Sequence, residues 1–250
     1  MPLIEHLLEL RKRLMWAAVA ILVGGVAGWF VSDWVLELLT GPLQSQGKKL
    51  ATINFGTVTG AFDVRFQIAI IVGVVVSSPL WLYQIFAFLT PAFTRQEKKY
   101  VFGFFFSAVP LFLAGCAAGA FVIPHIVGLM VGFAPINTAN LLDGKGYLDF
   151  ALRLILVIGV AFVLPVFLVL LNFVGVLQGT TILKSWRIAI LAIVIFTAVA
   201  TPSADVISMM LLAIPMILLY LVAVLITVLH DKRKARRDAS ILEGADILET

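Results

Sequence analysis

The chain opens on a short leucine stripe and then alternates long apolar runs with short polar connections. Leu3, Leu7, Leu10 and Leu14 recur at helical spacing and form one apolar face. Glu5, Glu9, Lys12 and Arg13 fall on another face, with Glu9 three and four residues before the last two. Such a helix is predicted to lie along a membrane surface rather than cross it. Six apolar runs follow at about 14–32, 66–89, 100–123, 148–174, 187–201 and 206–229. Most reach the roughly 20 residues that a crossing needs. The connections fall at about 33–65, 90–99, 124–147, 175–186 and 202–205. The expected fold class is an all-α membrane protein, one polytopic domain over residues 1–229 with six spans. The tail over 230–250 turns basic, then acidic and polar, and is expected to be disordered.

Two features modify that pattern. Pro79, Pro110, Pro165 and Pro215 lie within spans 2, 3, 4 and 6, where each removes a backbone hydrogen bond and is expected to bend its helix. Bent helices side by side make a concave face. The apolar part of span 5, from Ile188 to Val199, covers only about 18 Å at the α-helical rise. A hydrocarbon core is about 30 Å thick, so the bilayer must thin there or neighbouring protein must cover the difference.

Composition supports the membrane reading: 62% of residues are hydrophobic and 13% charged, where soluble domains sit near about half and a quarter. The net charge of +4 is therefore a topological signal and not a nucleic-acid one. With the N-terminus inside, the inner segments hold Arg11, Lys12, Arg13, Arg95, Lys98, Lys99, Lys184, Arg187 and the five bases from Lys232 to Arg237. The outer segments and adjoining span ends hold only Lys48, Lys49, Arg65, Lys145 and Arg153. Both termini are expected to be cytoplasmic. Arg11-Lys12-Arg13 followed by apolar residues has the outline of a signal peptide, but the run continues through Trp29 and Phe30 to Val31. It is read as a retained span. Cys116 is the sole cysteine, which excludes an internal disulfide or a cysteine metal site.

Enzyme chemistry finds no support in the motifs. His6, His125 and His230 are scattered, and neither H-E-x-x-H nor G-x-S-x-G occurs. Gly41 to Lys49 resembles a phosphate loop, but its spacing is one residue too long and Lys49 stands where Ser or Thr should hold magnesium. No cofactor is expected. Asp149 and Arg153, four apart, are expected to neutralise each other. Asp63 and Arg65 read as solvated or interfacial. Asp205 reads equally as the N-cap of span 6 and as a border to the short span where a partner docks.

Glu9 and Glu97 each stand among bases on the same predicted membrane face. Singly, Glu97 reads as part of a solvated, positive-inside segment from Arg95 to Lys99, and Glu9 as an ordinary intrahelical ion-pair partner. Together they make an acidic site for a cationic ligand, since a carboxylate binds a guanidinium through two parallel hydrogen bonds.

The segments His6 to Leu14, Gly41-Pro42-Leu43, Ser78-Pro79, Tyr83 to Ala92 and Leu212 to Met216 together resemble the TatC family. That family supplies the polytopic receptor subunit of the twin-arginine protein translocase. The resemblance runs from residue 2 to about 229. It implies six membrane helices in a cupped arrangement with both termini inside the bacterial cell membrane. It also implies a signal-peptide site at Glu9 and Glu97, with Arg11, Arg13 and Phe88 on the same cytoplasmic surface. Pro42 matches the outer cap and Asp205 the acidic position near span 6. Thr201 and Pro202 match the end of span 5, where single-span TatA or TatB subunits dock. Two positions depart from the family pattern: Val163 stands where many members carry a polar or acidic residue, and Met209 where Gln is found. The polar patch inside the cup is weaker for it.

The expected function is thus a non-enzymatic receptor and scaffold for exporting folded proteins, driven by the proton gradient and working as a homo-oligomer with TatA and TatB. A small-solute secondary transporter is the alternative. It predicts charged or broken-helix sites near the midplane and internal repeats, whereas the charges here collect at the membrane faces.

Overall fold

The computed structural model describes residues 3–45, 53–54, 56–57, 59–89, 97–132, 142–200 and 206–249. The leucine stripe and the first apolar run form one element, α1 (Leu3–Ser45), 43 residues long. A separate surface helix was expected before the first span. Leu, Glu, Arg, Lys and Ala dominate the junction and no Pro or Gly interrupts it, so the helix propagates.

The second run divides into α2 (Gly60–Val76) and α3 (Ser78–Leu89), bent by 56° at Ser77. Pro79 explains the break. It sits in the first turn of α3, where a missing N–H costs nothing, and it disfavours helical backbone just before it. The Trp81 indole N–H donates to the Val74 carbonyl across the break at 2.9 Å. In contrast, α4 (Glu97–Gly132) runs through Pro110 and Pro124, and α5 (Gly144–Phe173) runs through Pro165. The loop expected over 175–186 contains a short helix, α6 (Gly179–Lys184), followed by α7 (Trp186–Ala200). α8 (Val206–Glu249) contains Pro215 and continues as helix through the tail for which disorder was expected. Among the described residues the β structure is a parallel pairing of β1 (Ile53–Asn54) with β2 (Leu142–Asp143).

Among the described residues, four helices are long and apolar enough to cross a membrane, within α1, α4, α5 and α8, and the bent α2–α3 pair, taken as one span, makes a fifth. α7 has only 15 residues, about 22 Å of helix, and is short against a core of about 30 Å. The protein is all-helical in class and a membrane protein by its apolar helices.

The interior is built mainly where α4 meets α5. Ala108, Phe112, Ile123 and Ile126 of α4 and Leu148 and Ala151 of α5 are fully buried there. Apolar side chains gain little from leaving lipid, so close helix packing relies on small residues. α1 and α2 show this directly. A Cβ on Gly28 would lie 2.6 Å from the Ala69 carbonyl oxygen, and one on Gly73 would lie 2.6 Å from the Gly25 nitrogen. Neither position accepts a larger residue without moving backbone.

Charges at one end of the bundle are paired differently from expectation. Arg65 meets Asp33 at 2.6 Å, donates to the Ser32 hydroxyl and lies 5.2 Å from the Trp29 ring centre. Lys145 meets Asp63 at 2.7 Å. Asp63 and Arg65 are thus partly exposed, as expected of interfacial residues, and in addition form ion pairs that join α2 to α5 and α1. Among the described residues no ion pair joins Asp149 to Arg153. Asp143 instead caps α5, accepting from the backbone N–H groups of Lys145 and Gly146. The Tyr147 hydroxyl donates to the Leu39 carbonyl at 2.8 Å and fixes α5 to α1.

At the other end, Asp231 of α8 accepts from the Gly179 N–H at 2.6 Å and from the Asn172 amide at 3.0 Å. His230 stacks on Phe173, ring centres 3.8 Å apart. These contacts tie the end of α5 and the start of α6 to the polar extension of α8.

Candidate functional site

Three of the sequence-predicted residues, Glu9, Arg13 and Phe88, lie where the N-terminal turns of α1 cross the end of α3. α3 is held in place by aromatic packing. Phe86 is 1% exposed and stacks on Phe167 of α5 at 5.0 Å, while Tyr83 packs edge-on against Phe105 of α4 at 5.8 Å. Phe88, two residues beyond Phe86, turns to the opposite side of α3 and stacks on His6 of α1, ring centres 4.3 Å apart and 22° from parallel. Two turns along α1, the Arg13 guanidinium donates through Nε at 3.0 Å and Nη2 at 2.6 Å to Glu9 Oε1. Its Nη1 also reaches Gln84 Oε1 of α3 at 3.5 Å. Glu9, Arg13 and Phe88 thus come together at one helix crossing.

The i, i+4 spacing of Glu9 and Arg13 explains their pairing, with the acid on the N-terminal side in the favourable order. Both donors converge on a single carboxylate oxygen. The two side chains are 24% and 25% exposed, respectively, so the pair is partly withdrawn from water and yet open to a ligand. A half-buried carboxylate already holding one guanidinium is chemically suited to exchange it for another.

Arg11 belongs to a different surface. It lies two residues from Glu9, on the opposite side of α1, and with Leu8, Lys12, Met15, Trp16 and Val19 lines an open cavity of about 420 Å³. Its lining combines two bases with four apolar side chains. Glu97 is the first residue of α4; its side chain lies outside the described set, as does the connection from 90 to 96. Pro42 stands in the last turns of α1, its side chain likewise outside. Thr201, Pro202 and Asp205 also lie outside the described residues.

His6 and Gln84 complete the crossing and were not singled out from sequence as site residues. The signal for Gln84 was present: it is the single amide in the apolar run Ser78 to Leu89. A polar residue inside such a run asks for a partner. His6 carried no comparable signal, because its role depends on the packing of α1 against α3.

Known proteins agree with this architecture. The family described as "Sec-independent protein translocase protein (TatC)" matches residues 5–215. The chain is 43% identical over 243 residues to the Sec-independent protein translocase protein TatC of Xylanimonas cellulosilytica, covering 96% of this chain and 88% of that one. It is 35% identical over 250 residues to the protein of the same name from Rothia mucilaginosa, covering 98% and 85%. A crystal structure of the twin-arginine translocase receptor TatC in detergent superposes with a TM-score of 0.79 at 27% identity, covering 89% of this chain and 99% of that one. The chain belongs to the TatC family and is a membrane-embedded component of the Sec-independent protein translocase.

Proposed function

We propose that this chain is the receptor for twin-arginine signal peptides, and that the crossing of α1 and α3 is where it reads them. Glu9 and Glu97 supply the two carboxylates, one for each guanidinium of the peptide. Arg13 occupies Glu9 in the empty state and is displaced or shared when a peptide arginine arrives. Phe88 and His6 hold α1 and α3 in register, and Arg11 adds a basic surface on the opposite side of α1. The observation that carries this reading is the Glu9 carboxylate. It is partly buried, holds an internal guanidinium at 2.6 Å and sits beside the α3 end.

The surrounding topology in this proposal has six spans, α7 being the short one, with both termini cytoplasmic. The signal peptide's apolar stretch then follows the concave apolar face. Single-span TatA and TatB subunits dock near Thr201, Pro202 and Asp205, and Pro42 shapes the outer cap. Several copies assemble in one receptor complex, and the proton gradient drives export.

The test uses the full chain in lipid nanodiscs and a labelled twin-arginine peptide. Binding should fall sharply for a twin-lysine peptide, since a point-charge ammonium cannot reproduce the bidentate pairing. Glu97→Lys should abolish binding and export while leaving membrane insertion intact. Equal binding of both peptides, or undiminished binding by Glu97→Lys, would overturn the proposal.

A further inference from the structure

Between Tyr220 and Arg236, α8 presents two distinct sides. Tyr220, Val224, Thr227 and Asp231 recur at spacings of four, three and four, and this side faces the protein. The Tyr220 hydroxyl donates to the Ile182 carbonyl, Thr227 is fully buried, and Asp231 holds Gly179 and Asn172. On the other side Leu221, Leu225 and Leu229 are 51%, 59% and 45% exposed. In a bilayer that stripe meets acyl chains. Continued at helical spacing, it runs into Lys232, Arg233 and Arg236, all exposed.

We infer that this basic continuation is a binding face for the headgroups of acidic phospholipids. Asp231 is the residue that orients it. By fastening the helix to Gly179 and Asn172 immediately past the apolar end, it fixes the rotation of the next turns. The bases therefore follow the lipid-facing leucines and do not turn back over the bundle. Two features select lipid over a soluble anion: the face is charge-complementary to a phosphate layer, and it joins an apolar stripe that already lies in acyl chains. Clusters of bases directly beyond a span attract anionic lipid with a strength that falls off within a Debye length.

The experiment is native mass spectrometry of the full chain released from micelles carrying equal phosphatidylglycerol and phosphatidylcholine. No signal peptide or partner is needed, so a failure of the receptor reading leaves this test untouched. The wild type should retain phosphatidylglycerol preferentially and lose that preference as salt is raised. The variant Lys232→Gln/Arg233→Gln/Arg236→Gln should bind phosphatidylglycerol more weakly by about fivefold for each base removed. The charge-keeping variant Arg233→Lys/Arg236→Lys should behave as wild type, because a diffuse headgroup layer needs charge more than fork geometry. Absence of preference in the wild type, or its survival in the Gln variant, would overturn the inference.

Discussion

His6 and Phe88 lie 82 positions apart in the chain and stack with ring centres 4.3 Å apart, closing the crossing of α1 and α3 at its exposed end. Two turns along α1, Arg13 makes the second bridge, holding Glu9 at 2.6 Å and reaching Gln84. The acid proposed to read a ligand is thus positioned by two contacts that depend on α1 and α3 remaining together.

Removing the acid's charge is the most direct probe. Glu9→Gln keeps the shape but leaves an amide with one acceptor oxygen against Arg13 and an incoming guanidinium. Hydrogen bonds to charged groups contribute about 1.5–3 kcal/mol. The twin-arginine peptide should therefore bind about ten to a hundred times more weakly by fluorescence anisotropy. Unchanged affinity would exclude Glu9 from the site.

Phe88→Ala separates positioning from charge. It removes a stacked pair whose geometry contributes about 0.5–1.5 kcal/mol beyond area burial. Spin labels placed near His6 and near Gln84 should report a broadened distance distribution, while Glu9 and Arg13 stay paired within α1. A distribution as narrow as wild type would show that the ring does not set the crossing.

The glycines of the α1–α2 contact offer a stability contrast. Gly73→Val places new atoms against α1 backbone, where a Cβ already stands 2.6 Å from Gly25 N. Overpacking of this kind costs about 1–3 kcal/mol. Gly103→Ala meets nothing within 4 Å and should be neutral or stabilise its helix by up to about 1 kcal/mol. Thermal unfolding in detergent should separate the two, and equal melting would contradict the packing described.

Asp231→Ala should loosen the α5–α6–α8 junction. It strands the Gly179 N–H and one donor of Asn172, and an unsatisfied buried polar group costs about 1–3 kcal/mol. Proteolysis should then cut between Leu171 and Ile182 faster than in wild type. An unchanged digestion rate would make the contact incidental.

What was legible in the sequence follows from what is local. Long apolar runs announce themselves, and the Glu9–Arg13 pair is readable because both members lie on one helix turn. Pro79 signalled a bend in the second span. Its consequence, two helices meeting at 56°, depends on what neighbouring helices satisfy after the backbone bond is lost. Arg13 finds Gln84 across 71 positions, and no periodicity shows such a pairing. The tail's composition concealed its order because polar helices show no apolar period, while the Asp231 contacts that start it lie with residues about fifty positions upstream.

The unbroken length of α1 has a mechanical meaning. Its 43 residues extend about 65 Å, against about 40–45 Å for a whole bilayer with its headgroups. At the tilts usual for membrane helices, a rod of that length extends past the bilayer. From Glu9 to Leu39, where Tyr147 grips it from α5, is about 45 Å of one helix. One continuous helix thus links the proposed reading end directly to the contact with α5.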